Sequence, residues 1–170
     1  TTIQLIDEYF DLKWPREFDG KSLFPILRGE EEPEPRTVYI ETGVTEKNYW
    51  PKNHRNYPFK SLSRRYAIHD NGNIYVKKEF MDAIVKAKDR VLQLGKWKLV
   101  WRPLKNNKAI TELYDRSVDR LNRNDIYQKH PDIAAHLGKR LVPFLRQDGE
   151  ESPQFDQWIK QSDSSPEPEW

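Results

Sequence analysis

The sequence predicts an α+β fold in which antiparallel strand pairs pack with amphipathic helices. Three observations carry that expectation. First, Arg65-Tyr66-Ala67-Ile68-His69 and Asn73-Ile74-Tyr75-Val76-Lys77 flank Asp70-Asn71-Gly72, whose Asn-Gly favours positive backbone angles and hence a hairpin. Second, Trp97-Lys98-Leu99-Val100-Trp101 alternates as a strand, and Thr111-Glu112-Leu113-Tyr114-Asp115 reads as its partner across the loop 103–109. Third, Phe80, Ile84, Ala87, Val91 and Leu94 recur every three or four residues, which predicts an amphipathic helix over 79–94, stopped by Gly95.

Taken in order, the chain begins with Ile3, Leu5, Ile6, Tyr9, Phe10 and Leu12 close to a helical period, with Thr2 as N-cap and Pro15 beyond the end. Residues 18–29 read as a turn followed by one short apolar helical segment closed by Gly29, and the acidic, proline-containing run 30–35 as a solvated connector. Residues 36–42 are β-branched and aromatic and predict a strand, whereas 43–63 turn polar and irregular and read as a long loop. In the helix expected over 79–94, Asp82 and Lys86 are spaced to pair one turn apart. Trp97 and Trp101 share a strand face and are expected to pack on that helix. Pro131 suits the first turn of a further helix, whose apolar stripe is Ile133, Leu137, Leu141 and Phe144, weakened by Gly138 and Pro143. Beyond Arg146 the composition predicts a mobile polar tail, with Phe155, Trp158 and Ile159 as a docking patch and 162–170 loose.

Composition narrows the chemistry. A chain of 170 residues suits one modest domain, or a subdomain with tails, and its six Trp, eight Tyr and seven Phe argue against disorder. The 29 basic and 27 acidic residues leave a net charge of +2, which supplies no strong drive toward nucleic acid or an anionic membrane. No stretch approaches the ~20 apolar residues of a membrane span. With no cysteine, the chain holds no disulfide, thiolate metal site or Cys nucleophile. The start at Thr1, without a Met or a basic leader, reads as a chain cut from something longer.

Four segments in order resemble the C-terminal portion of bacterial sulfatases of the alkaline-phosphatase superfamily. Asp19-Gly20-Lys21-Ser22-Leu23-Phe24-Pro25-Ile26-Leu27-Arg28-Gly29 is similar to that family's DG-x-SL-x-PLL-x-G stretch, and Arg36-Thr37-Val38-Tyr39-Ile40-Glu41 to its R-x-V-Y-x-E strand. The run from Ala87 through Asp89-Arg90 and Gly95-Lys96-Trp97-Lys98-Leu99-Val100 resembles DR-ALR-x-G-x-WKLV, and Glu112-Leu113-Tyr114-Asp115 with His130-Pro131 resembles ELYDL and HP before the closing helix. Ser117-Val118-Asp119-Arg120 stands where the family carries an acidic-proline turn, a local departure.

The resemblance implies an antiparallel sheet of about four strands packed against one or two helices, as in the sulfatase C-terminal subdomain. It implies three regions: 1–29 as the end of a catalytic-domain region, 30–146 as the C-terminal subdomain, and 147–170 as a polar tail. The partner implied is an N-terminal catalytic domain. That domain would carry the formylglycine nucleophile, made from the Cys or Ser of a Cys/Ser-x-Pro-x-Arg motif, and calcium or another divalent metal. The substrate class implied is a sulfated small molecule or saccharide, and the placement exported, periplasmic or lysosomal. This sequence holds no such motif, so the chain itself is expected to hold no cofactor and to supply neither nucleophile nor metal ligands.

Candidate site residues are sparse. His54, His69, His130 and His136 form no His-x-x-x-His pair; His130 reads as a helix-start residue, His136 as surface and His69 as a hairpin hydrogen-bonding group. Ser22, Ser61 and Ser63 lack a nucleophile-elbow context. The loop 48–57 combines Trp50, Lys52, His54 and Arg55, where cations attract sulfate or carboxylate and aromatic rings stack on sugar or aryl faces. It reads either as a substrate-binding loop over the pocket or as a solvated, domain-packing loop. Arg90, Lys96 and Lys98 face the same choice between substrate contact and structural support. The competing functions are a phosphonate or phosphodiester hydrolase of the same superfamily and a non-catalytic carbohydrate- or protein-binding module.

Overall fold

In the computed structural model, residues 6, 9–12, 23–30, 35–41, 53, 65–105 and 107–170 are described. The chain divides into two compact units, residues 1–35 and 36–170. In the first, Ile6, Tyr9 and Phe10 are helical, and α1 (Phe24–Leu27) is a single turn with Pro25 near its start. Tyr9 meets Phe10 edge to face at 4.9 Å, and the Arg28 guanidinium covers the Phe24 ring at 4.3 Å.

The second unit is α+β. Its four-stranded antiparallel sheet runs in the order β1 (Thr37–Glu41), β4 (Arg90–Leu94), β5 (Trp97–Pro103) and β6 (Ala109–Asp115). β2 (Tyr66–Ile68) and β3 (Ile74–Val76) form the expected separate hairpin, in which Gly72 alone of the turn takes positive φ and Asn71 instead accepts a hydrogen bond from the Asn73 amide. Helix α2 (Lys78–Val85) follows, with Asp82 and Lys86 paired at 3.1 Å as their spacing predicts.

The helix expected over 79–94 is thus overturned beyond its first half. Residues 90–94 form a strand that pairs on both sides, with β1 and with β5. In Arg90-Val91-Leu92-Gln93-Leu94 burial on both faces removes the polar alternation of a half-exposed strand, and the three-residue spacing of Val91 and Leu94 imitates a helical period there. The stop signal at Gly95 is real but has another meaning: Leu94 pairs directly with Trp97, so Gly95-Lys96 is a two-residue hairpin turn with Gly at the first central position.

Register sorts the sheet into two faces. Leu92, Leu94, Trp97, Leu99, Trp101 and Leu113 point inward and join a core with α3 (Pro131–Gln147) and α4 (Pro153–Asp163). Trp97 and Trp101 therefore pack on these C-terminal helices and not on α2: Trp97 lies 5.6 Å from the His130 ring and Trp101 6.2 Å from Phe155. On α3 the buried stripe is Ile133, Leu137, Leu141 and Leu145, while Phe144 sits at the margin and stacks on Tyr39 at 4.4 Å. Pro143 is accommodated on the exposed side, where its missing amide leaves a solvent-facing turn short of one bond.

The segment expected to be a mobile tail is α4, docked on α3. Ser152 caps it by accepting from the Gln154 amide at 3.3 Å, and Pro153 occupies its first turn. Phe155, Trp158 and Ile159 do dock this segment, Phe155 and Trp158 as buried core residues and Ile159 packed against them, so the expected docking patch is present, on a helix rather than a mobile tail. Gly138 on α3 makes room for them, since a Cβ there would lie 2.2 Å from Trp158 Cδ2. Residues 165–170 then run back as a strap: Trp97 Nε1 donates to the Glu169 carbonyl at 3.3 Å, Glu167 pairs with Arg140, and Trp170 Nε1 donates to Glu167 at 3.1 Å.

Candidate functional site

The outer face of the sheet carries the second set of alternating residues: Val38 and Ile40 on β1, Val91 on β4, Lys98, Val100 and Arg102 on β5, and Glu112 and Tyr114 on β6. Arg116 continues this alternation just past β6, where its amide donates to the Lys96 carbonyl at 2.7 Å. Val91, Val100 and Tyr114 form a small buried cluster, with apolar Ile40 beside it on β1 and charged groups beside it on β5 and β6. Arg102 donates to Glu112 and to Asp89, each at 2.9 Å, so two carboxylates enclose one guanidinium. Burial alone would lower the Arg102 pKa, but the Glu112 hydrogen bond and both carboxylate charges outweigh it and raise it.

Lys98 is in the opposite situation. It is half-buried between its cross-strand neighbours Gln93 and Tyr114, with no hydrogen bond or ion pair to a described residue. Burial lowers its pKa, and the nearby Arg116 and Arg102 lower it further, against a smaller opposing pull from Glu112. Tyr114 is pushed up to about 12 by burial and by Glu112. Arg116 donates from Nη1 to the Asn122 side-chain Oδ1 at 3.1 Å, while its buried Nε has no partner among the described residues. Among the described residues, Asp89 and Glu112 both pair with Arg102 and Asp125 acts on Tyr114, while Lys98 and Arg116 form no ion pair with a carboxylate.

Of the residues singled out from sequence, Trp50, Lys52, His54 and Arg55 lie outside the described residues. Arg90 is fully enclosed: it donates to the Val85 carbonyl at the end of α2, to the Lys88 carbonyl and to Asp148 at 2.8 Å. These bonds tie α2, β4 and the C-terminus of α3 together, which is structural support. Lys96 is exposed in the β4–β5 turn with its ammonium 5.0 Å from the Trp97 ring centre. His69 stacks on Tyr75 at 4.0 Å, and His130 precedes α3 as expected.

His136 is not at the surface. Its ring lies between Ser162 Oγ and Ser165 Oγ, each at 3.1 Å, in a cavity of about 550 Å³ that Lys139, Arg140 and Glu167 also line. Ser165 gives its only proton to the Gln161 carbonyl at 2.9 Å, so the ring proton belongs on Nε2 and Ser162 donates to Nδ1. Ser165, its proton committed to a carbonyl, is not an activated nucleophile, and Ser162, which faces Nδ1, is itself buried. Lys139 and Arg140 are matched by Asp163 and Glu167, leaving no excess charge for a ligand.

Among the described residues no three His, Asp or Glu side chains converge as a metal site, and no helix is long and apolar enough to cross a membrane. The outer sheet face thus sets one half-buried, unpaired ammonium, Lys98, near a guanidinium, Arg116, whose Nε has no partner among the described residues. Sequence reasoning reached Lys98 but passed over Arg116, which joins it only once Trp97 is registered against Asp115. No protein-family model matches the chain, and no curated protein matches it.

Proposed function

We propose that the chain is the C-terminal portion of a sulfatase-type hydrolase that cleaves sulfate esters, where it completes the substrate pocket and stabilises the catalytic domain. The observation that carries this reading is where the resembling segments fall. The R-x-V-Y-x-E segment is β1, the DR…G-x-WKLV segment is β4, turn and β5, the ELYD segment is β6, and His130-Pro131 opens α3. Segments distant in sequence thus build one sheet and the helix that covers it, as parts of one inherited subdomain would.

In this reading formylglycine and a divalent cation such as calcium supply nucleophile and charge stabilisation from the catalytic domain. Hard cations need several converging oxygen ligands. In this reading the chain contributes substrate binding and support, and the ligands come from the catalytic domain. The substrate class is a sulfated small molecule or saccharide, which suits a face with surplus positive charge.

The test is hydrolysis by the native polypeptide that contains this chain, assayed on 4-nitrophenyl sulfate and 4-nitrophenyl phosphate. Faster cleavage of the sulfate ester is expected. Preference for the phosphate ester would replace the reading with a phosphonate or phosphodiester hydrolase, and cleavage of neither would replace it with a non-catalytic binding module.

A further inference from the structure

We propose that Lys98 and Arg116, side by side on the outer face of the β5–β6 hairpin, form a binding site for a tetrahedral oxyanion such as sulfate or phosphate. Three features of the face carry the inference. Lys98 is half-buried, yet has no hydrogen bond or ion pair to a described residue. The carboxylate that acts on it, Glu112, is paired with Arg102, and a partly buried ammonium without its own ion pair is stabilised when an anion joins it. Arg116 commits only Nη1, to Asn122, and leaves the edge bearing Nε without an acceptor among the described residues. That edge, with two parallel N–H groups, matches two oxygens of a sulfate or phosphate.

The neighbouring charges locate the vacancy. Arg102 is neutralised by Asp89 and Glu112, so an arriving anion meets net repulsion at that end of the face and net attraction at the Lys98–Arg116 end. Tyr114 on β6 and Arg116 just past its end are two residues apart and share the face with Lys98, held there by the β5–β6 register and the Arg116 amide bond to the Lys96 carbonyl. Because Arg116 Nε lies beneath the surface, binding draws the guanidinium outward, and the affinity expected for a free ion is on the order of millimolar.

Binding must also act on Lys98. An anion favours the charged ammonium, so it raises a pKa that burial and Arg116 hold down. By reciprocity, affinity falls as pH rises through the Lys98 titration, earlier than for an ordinary lysine.

The experiment is an amide NMR titration of the full chain with sodium sulfate against sodium chloride at matched ionic strength. Saturable sulfate-specific shifts are expected at residues 96–98 and 114–116. Lys98→Gln and Arg116→Gln should each weaken binding roughly tenfold, Lys98→Arg should retain it, and Lys139→Gln on α3 should leave it unchanged. The same spectra report whether each variant is folded, and the Lys98 side-chain titration should move upward with sulfate. Shifts that chloride reproduces, or unchanged binding in either Gln variant, would overturn the site. Parallel titrations identify the source of the anion: a sulfated disaccharide bound more than about tenfold tighter than inorganic sulfate places it on a saccharide, and equal affinity makes it a free ion. The site stands on the β5–β6 geometry alone, so its loss would leave the hydrolase reading intact, and failed ester hydrolysis would leave the site.

Discussion

Gly138 shows how closely single residues are determined here. Replacing Gly by Ala inside a helix ordinarily gains ~1 kcal/mol of helical propensity. At this position the added methyl would stand 2.2 Å from a buried indole. Relieving such overpacking costs about 1–3 kcal/mol or more, so Gly138→Ala should lower the urea midpoint despite the better helix former. Combining it with Trp158→Leu should cost less than the sum of the single changes, because the smaller side chain vacates the collision. Additive losses would show that the two residues do not share the space. Arg90 is determined in the same way: Arg90→Met removes two bonds to carbonyls as well as the Asp148 pair. A loss on the order of 3 kcal/mol is expected in equilibrium unfolding, with sulfate binding at Lys98 unchanged in the folded variant.

Among the elements, α4 gives the clearest expectation. It contributes Phe155 and Trp158 to the same core as Trp101 and Leu137. Trp158→Ala should therefore cost about 3–5 kcal/mol, and Ser152→Ala about 1 kcal/mol through loss of the cap. A Trp158→Ala variant as stable as the parent would return residues 153–163 to the status of a tail. The signal for this helix was present in the chain as Ser152-Pro153, a cap followed by a first-turn proline, but the surrounding Ser, Glu and Asp suggested solvation. Strands β1, β5 and β6 and the β2–β3 hairpin were legible because alternation and turn chemistry are local. β4 was not, since a strand buried on both faces has no alternation. The candidate site was half legible for a related reason: strand alternation gives the face of Lys98, but only cross-strand register brings Arg116 to it.

At the scale of the whole molecule, stability should depend on acid pH through Glu41, which ties β1 to Lys88, and through Asp115, which closes the turn after β6. Burial pushes the Glu41 carboxyl up, but hydrogen bonds from Lys88 and Tyr39 and the charges of Lys88 and Arg90 outweigh it, so its pKa lies below the ordinary 4.5. Asp115 is held down by Ser117, beyond a smaller burial effect in the other direction. A lowered carboxyl pKa stabilises the fold above its unfolded value and ceases to do so as pH falls through the folded value. The urea midpoint should accordingly fall between about pH 5 and pH 3, and Glu41→Gln should flatten that fall; an unchanged slope would remove Glu41 from the account. The same scale holds the central claim, that this sheet and its covering helices are the C-terminal part of a sulfatase-type hydrolase. Peptide mapping by mass spectrometry of the native polypeptide upstream of Thr1 tests it most directly. The account predicts a catalytic segment containing Cys/Ser-x-Pro-x-Arg, with the Cys or Ser converted to formylglycine; a native polypeptide without that segment would contradict it.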